Sequence, residues 1–273
     1  MFNSVQQSFN QAAKSYDRFA FLQQQIAAHL SQRLARIHHV PSVILDVGCG
    51  TGIMAQQLQS SWPEVSIVGV DFAWQMCQQA HPLPVVCGRA QALPIADASV
   101  DLVVSNCMLQ WLSDELTLVF QEMRRVLKPG GLLIFSTFGP DTLQELRHAW
   151  ASVDQAVHVN SQLDMHDVGD ALAKVQMQDV VMDRWPLTLQ YESVKAVVDD
   201  IRGVGGQVVH ARNTEGLMTR TKWQTMCQAY QKNFSDAEGH VLASYEVIFG
   251  HAWAPKSTGD AVPLSALKRP SQS

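Results

Sequence analysis

Asp46, Gly48, Gly50 and Gly52 stand at alternate positions in VILDVGCGTG (Val43 to Gly52), and a second acidic residue, Asp71, closes the apolar run SIVGV (Ser66 to Val70). Glycines where a strand passes into a helix permit positive φ and close ligand contact, and the helix start adds free N–H groups with a partial positive charge. A carboxylate at the end of the next strand can accept hydrogen bonds from both hydroxyls of a ribose. The chemistry implied is the holding of a nucleotide-like cofactor. A G-x-G-x-x-G dinucleotide fingerprint would need a glycine at position 53, which is Ile53, so a pyrophosphate clamp is disfavoured.

The elements that must position these residues alternate between strand and helix. Ala73 to Ala80 reads as a helix, Leu83 to Cys87 as a third strand and Asp101 to Asn106 as a fourth. Leu116 to Leu127 has helical spacing and stops at LKPGG, where Pro129, Gly130 and Gly131 are expected to end the helix and turn the chain into a fifth strand, LLIFSTF. Asp141 to Val157 and Val168 to Val175 read as helices. Val180 to Tyr191 reads as extended, with Pro186 marking a bulge or an edge. Residues 1–40 read as two helical stretches, the first with one apolar face of Phe9, Ala12, Ala13, Tyr16 and Phe19 or Ala20.

Composition agrees with an enzyme of ordinary globular build. The 273 residues are 47% hydrophobic and carry a net charge of −5, so nothing points to nucleic acid. No signal peptide or membrane-spanning run is visible in the sequence, and the five cysteines form no C-x-x-C pair, so reduced thiols in a cytoplasmic protein are expected. His148, His158, His166 and Asp167 match no standard metal spacing, so no metal site is expected. His38 and His39 read as exposed linker residues before Pro41.

The pattern D-x-G-x-G-x-G followed by a strand ending in Asp resembles motif I of the class I S-adenosylmethionine-dependent methyltransferases, and L-K-P-G-G-x-L-x-x-S is a structural signature of the same superfamily. The resemblance implies a Rossmann-like α/β fold, a doubly wound seven-stranded sheet with an antiparallel last strand. It also implies cofactor contacts from Asp46, Gly48, Gly50, Gly52 and Asp71, with Phe72 beside it. GRAQALP lies where relatives commonly carry G-D-A-E-x-L-P. Arg89 replaces the acidic residue and cannot accept the adenine amino hydrogen bond, leaving that contact to the backbone N–H of Ala90. Arg89 then either stacks on the base or points into water. After the fourth strand, Asn106, Gln110 and Trp111 are candidates for the site, since ligands bind at strand carboxyl ends, although Trp111 suits a core position equally.

FGPDTLQELRHAWASVDQAVHVN, DMHDVGDAL, MDRWPLTLQYESV, DDIRGVGGQ, GLMTRTKW and YEVIFGHAW, with the early S-Y-D, resemble the malonyl-[acyl-carrier-protein] O-methyltransferases of biotin synthesis, the BioC family. That resemblance implies methylation of the free carboxylate of a malonyl thioester by S-adenosylmethionine, giving S-adenosylhomocysteine, with acyl carrier protein or coenzyme A as the thioester's bearer. The FG-x-D-T-L-x-E-L-R region is shared with methyltransferase-like arginine hydroxylases that help assemble respiratory complex I. A protein hydroxylase, or an assembly factor that binds the cofactor without turnover, is therefore the alternative.

The domain plan that follows has an N-terminal helical lid at 1–40, a cofactor-binding core at 41–191 and a helical insertion over the acceptor site at 192–240. A last core strand at 241–253 precedes a tail, 254–273, without periodicity and expected to be disordered. The insertion is basic: Arg202, Arg212, Arg220, Lys222 and Lys232 against Glu215 from Ile201 to Phe234, a complement for an acidic carrier protein or else a solvated face. A malonyl carboxylate is already ionised and a sulfonium methyl already activated, so no general base is required. Tyr16, Gln110 and Trp111 are expected to shape and dry the pocket, with Arg147 or Arg202 orienting the carboxylate. Tyr16 is otherwise filler in a helix packed on the sheet.

Overall fold

The computed structural model describes residues 2–209 and 219–256. Three helices, α1 (Phe2–Ala12), α2 (Tyr16–Phe19) and α3 (Phe21–Leu34), precede β1 (Val43–Val47). The core continues through α4 (Ile53–Ser61), β2 (Ser66–Asp71), α5 (Trp74–Gln79), β3 (Val85–Cys87), β4 (Val100–Asn106), two short 3₁₀ turns at Leu109–Trp111 and Ser113–Glu115, α6 (Leu116–Val126) and β5 (Leu127–Phe138). It closes with α7 (Gln144–Ala151), α8 (Met165–Lys174), β6 (Gln178–Tyr191), α9 (Val194–Gly203), α10 (Arg220–Asn233) and β7 (Val241–Trp253).

Seven strands form one sheet in the order β3-β2-β1-β4-β5-β7-β6. The first five run parallel, and β7 runs antiparallel between β5 and β6. Strand alternation sorts the interior into two layers. Ile44, Leu102, Val104, Leu132 and Ile134 pack with α3 and α4 on one face, and Leu45, Val47, Val103, Leu133 and Phe135 pack with α6 and α8 on the other. Such strands, apolar on both faces, are what a sheet covered by helices on both sides requires.

The first strand's end, where β1 and β4 diverge around the reversal of strand order, is the switch point at which open α/β sheets bind ligands. Pro186 sits in β6, which is an edge strand, so its missing N–H costs no ladder bond on the outer side. Residues 192–240 leave the sheet at Tyr191 and return at Val241, two residues that are themselves Cα partners. Tyr230 of α10 is fully buried and its hydroxyl donates to the Leu242 carbonyl at 2.7 Å, fastening this insertion to β7.

Several expectations need correction. The N-terminal segment holds three helices rather than two. The helix expected over 141–157 is confined to Gln144–Ala151, because the buried Glu145 accepts from the Ser244 N–H at 2.9 Å and ties its first turn to β7, while Val153 and Asp154 close the C-terminal turn onto Trp150. The helix before LKPGG does end, at Val126, but Pro129, Gly130 and Gly131 lie within β5 instead of forming a turn. Gly130 N–H donates to Ala254 and Ala254 N–H to Gly131, extending the ladder beyond β7. His39 is a packed residue, with its Nε2 3.0 Å from the Asp101 carbonyl and its ring edge-on to Trp253. The tail expected to be disordered lies, from 257 onward, outside the described residues, as do Arg212 and Glu215. Among the described residues no helix is long and apolar enough to cross a membrane.

Candidate active site

The glycine loop bounds a cavity of about 860 Å³, including the space at its open mouth. Gly48 adopts φ +75, and a Cβ there would fall 2.4 Å from the Met108 side chain, so only glycine lets the loop pass beneath Met108. Gly50, φ +54, faces open space instead: a Cβ would meet nothing within 4 Å, which is the room a ligand needs against the backbone. Gly52, φ +89, is the N-cap of α4 and does not line the cavity.

Asp71 ends β2 with its carboxylate held from both sides, accepting from Gly50 N–H at 2.9 Å and from Ala73 N–H at 2.8 Å. Each oxygen retains a lone pair for a further donor. Burial pushes its pKa up to about 6, against these backbone bonds, which pull it down. The remaining walls are mostly apolar: Val5, Phe9, Phe72, Met76, Ala90, Met108 and Leu112. Arg89 is exposed at the rim, in the wall rather than turned away from it. This combination of hydroxyl-accepting carboxylate, apolar slot and open glycine backbone fits an adenosine-bearing cofactor.

Asp46 behaves differently from the expected ligand. It is fully buried, is not on the cavity wall, and neither of its oxygens has a hydrogen-bond partner among the described residues. Alternation along β1 gives Leu45 and Val47 to the layer of α6 and α8 and turns Asp46 to the opposite face, under the start of α4. Burial and the neighbouring Asp71 charge push it up to about 7, opposed by the Ala55 backbone N–H of α4. Its carboxyl thus faces the start of α4 and not the cavity.

The N-terminal helices supply one side of the cavity, through Val5, Phe9 and Tyr16. Gln6 Nε2 donates to the Phe72 carbonyl at 2.5 Å, and Asn10 Oδ1 accepts from Gln75 N–H at 2.9 Å at the start of α5. Phe9 packs edge-on between Phe72 and Trp111. Thr51 Oγ1, inside the glycine loop, donates to Asp17 Oδ1 at 2.6 Å. Tyr16 beside it lines the cavity, and burial holds its hydroxyl well above the ordinary phenol range, hence neutral.

A second, larger cavity of about 2180 Å³, including its open mouth, lies on the other side of Tyr16. Phe9, Tyr16, Cys107 and Trp111 belong to both walls, so the two cavities meet along these four side chains. The insertion contributes Val198, Asp200, Ile201, Arg202 and Trp223 to it. Gln110 lines this second cavity alone, and its amide donates to the Cys107 carbonyl at 2.6 Å, holding Cys107 at φ 53. Asn106 lines the first cavity, with its amide spent on donating to the Gln23 carbonyl at 3.1 Å and accepting from Ser136 Oγ at 2.7 Å. It braces the strand end between α3 and β5.

Arg202 lines the second cavity, is exposed, and its guanidinium makes no hydrogen bond or ion pair among the described residues. Arg147 does not line either cavity. Its guanidinium donates to the Pro140 and Thr142 carbonyls, both at 3.1 Å, because a helical side chain points back over the preceding turn. It clamps the loop before α7, so its guanidinium is not placed in either cavity to orient a carboxylate as expected.

Sequence reasoning missed a polar clamp in this cavity. His158, buried in its wall, stacks on Trp150 with ring centres 3.9 Å apart and places Nε2 2.8 Å from Asp154 Oδ1. Asp154 Oδ2 takes Lys222 of α10 at 2.7 Å. Lys222 and His158 hold the Asp154 carboxyl well below the usual carboxylate range. Their separation of 64 or more residues from Lys222 leaves no local signal in the sequence. Among the described residues no group of three His, Cys, Asp or Glu side chains is gathered for a metal.

Residues 45–135, from β1 to β5, match the Methyltransferase domain family. A solved Bacillus subtilis protein, YcgJ, superposes with a TM-score of 0.58 at 15% identity, covering 85% of this chain and 99% of that one. Phosphoethanolamine N-methyltransferase 2 of Haemonchus contortus, solved with S-adenosyl-L-methionine, gives 0.56 at 16% identity, over 90% of this chain and 57% of that one. Both establish the fold alone. A curated relative from Laribacter hongkongensis, malonyl-[acyl-carrier protein] O-methyltransferase, is 41% identical over 266 residues, covering 92% of this chain and 89% of its own length. The chain therefore belongs to the malonyl-[acyl-carrier-protein] O-methyltransferase family, within the S-adenosylmethionine-dependent methyltransferases.

Proposed function

We propose that this protein transfers the methyl group of S-adenosylmethionine to the free carboxylate of a malonyl thioester on acyl carrier protein, releasing S-adenosylhomocysteine. The observation that carries the reading is the meeting of the two cavities along Phe9, Tyr16, Cys107 and Trp111: a cofactor-shaped slot opens onto a large acceptor chamber. The family's name for its substrate supports the acceptor chosen, over the hydroxylase and assembly-factor alternatives.

The cofactor supplies an activated sulfonium methyl, and the acceptor carboxylate is ionised at neutral pH, so the protein's task is alignment and exclusion of water. In this reading Asp71 takes the ribose hydroxyls, the Gly48–Gly50 backbone receives the ligand, and Phe72, Ala90 and Leu112 flank the base. Arg89 lies at the rim. Tyr16, neutral and half-buried, and Trp111 form the dry passage, while Gln110 fixes the Cys107 backbone beside it. Arg202 gives the chamber's mouth a cation for an anionic acceptor. The domain boundaries belong to the same proposal: 1–40 acts as the lid and 192–240 as the acceptor roof, the latter presenting Arg202, Arg220 and Lys232 to an acidic carrier.

The test is transfer of labelled methyl to malonyl-carrier protein, with malonyl-coenzyme A and acetyl-carrier protein in parallel. Base-labile label on malonyl-carrier protein but not on acetyl-carrier protein is expected. No label on any of the three, with the cofactor still bound, would overturn the carboxyl-transfer reading.

A further inference from the structure

Cys77 of α5 and Cys87 at the end of β3 converge behind the floor of the cofactor cavity. The Cys77 thiol donates to the Asp71 carbonyl at 3.5 Å, and that carbonyl also accepts from Gly88 N–H at 2.9 Å. The Cys87 thiol donates to the Phe72 carbonyl at 3.8 Å. The two sulfurs thus rest on carbonyls of successive residues, one of them shared with Cys87's own neighbour, and Cys87 is the β-ladder partner of Asp71, whose carbonyl Cys77 meets. Asp71, Phe72, Met76 and Gly88, the residues that these thiols touch or adjoin in the chain, all line the cavity, whereas neither sulfur does.

We infer that Cys77 and Cys87 are a modification site, a thiol pair that closes into a reversible disulfide and thereby weakens cofactor binding; the second half rests on the reading of this cavity as the S-adenosylmethionine site. Cys87 is exposed and Cys77 only partly so, which decides the order of events. A hydroperoxide is the oxidant. The Cys87 thiolate attacks a peroxide oxygen, the O–O bond breaks, an S–O bond forms, and the departing oxygen leaves protonated, giving Cys87 sulfenic acid. Cys77 sulfur then attacks Cys87 sulfur, the S–S bond forms as the S–O bond breaks, and water departs with the Cys77 proton. Two thiols have given up two electrons to one peroxide. Burial and the Asp71 charge push the Cys77 thiol up to about 12, making closure the slower step and the sulfenic acid long enough lived to trap.

Closure removes the Cys77 donor from the Asp71 carbonyl and draws the end of β3 toward α5. Phe72 and Gly88 must shift with it, and with them two walls of the slot. The expected result is a loss of about tenfold or more in cofactor affinity, recovered on reduction with a dithiol.

The full chain is treated with a small excess of hydrogen peroxide, digested without reduction and mapped by mass spectrometry, and cofactor affinity is measured by calorimetry before oxidation, after it and after dithiol treatment. A peptide joining Cys77 to Cys87, lighter than the sum of its parts by two hydrogens, with affinity that falls and returns, is the expected outcome. Cys77→Ser should accumulate a dimedone adduct at Cys87, and Cys87→Ser should keep its affinity through peroxide. Absence of the joined peptide overturns the site, and a joined peptide with unchanged affinity overturns its control of the cofactor. A reduced protein that binds no cofactor overturns the cavity reading and the control together, while the joined peptide still decides the disulfide.

Discussion

Thr51 Oγ1 donates to Asp17 Oδ1 at 2.6 Å, joining the middle of the glycine loop to the helix that carries Tyr16. The glycine loop and the N-terminal helices that line the same cavity are thereby one hydrogen-bonded unit. Thr51→Val leaves a nearly isosteric methyl and removes the donor, so cofactor affinity should fall about tenfold, the effect of a lost charge-assisted bond of about 1.5 kcal/mol. Calorimetric titration measures it, and Asp17→Asn, which keeps an acceptor, should lose less.

The two loop glycines separate folding from binding. Gly48→Ala forces a Cβ into Met108 at positive φ and should lower the melting temperature as well as abolish cofactor binding. Gly50→Ala meets no protein atom, so its thermal shift should be the smaller one while affinity is lost because the methyl occupies ligand space. Differential scanning calorimetry and a binding titration on both variants distinguish them.

Asp46 and Asp71 make stability and affinity depend on pH in opposite directions. Their carboxyls titrate near 7 and 6 when folded, above an unfolded value of about 3.9, so the folded state holds these protons more tightly. Stability without cofactor is therefore fully present below about pH 4, is lost progressively as pH rises from there to about 6 to 7, and is regained as it falls. Asp46→Asn should flatten this profile and raise the melting temperature at pH 8. Cofactor affinity should instead weaken as pH drops below about 6 in the parent protein, because a protonated Asp71 has fewer lone pairs for hydroxyl donors.

The Asp154 clamp should govern the acceptor chamber without touching the cofactor slot. Asp154→Asn removes the charge shared by His158 and Lys222, and Lys222→Met cuts the tie to α10 while keeping length. Both should raise KM for the malonyl acceptor severalfold with cofactor affinity unchanged. Lys222→Met should be the milder, since a half-exposed ion pair contributes about 1 kcal/mol or less.

What could be read from the chain follows physical range. Gly48, Gly50, Asp71 and the bounds of β7 are written in local periodicity and turn chemistry: the first three line one cavity and β7 spans Val241–Trp253, whereas Gly52 is spent on the N-cap of α4. Asp46 misleads because proximity to the loop in sequence says nothing about which face of β1 it occupies. Arg147 misleads because a cation on a helix is legible, but the two carbonyls it satisfies are not. Asp17 with Thr51, and Asp154 with Lys222, are partners 34 and 68 residues apart, set by tertiary approach alone. Pro-Gly-Gly reads as a turn until the residues beyond β7 supply the ladder that makes it strand.

Tyr191 and Val241, between which the insertion departs and returns, face each other across the β6–β7 ladder. In topological terms the connection 192–240 is one overgrown hairpin loop, and on the proposed assignment that loop supplies part of the acceptor chamber's wall while the cofactor's cavity lies at the strand ends. Such a segment can be exchanged for another of different shape without shifting the register of any strand, so acceptor choice can change by grafting while the methyl donor's site stays as it is.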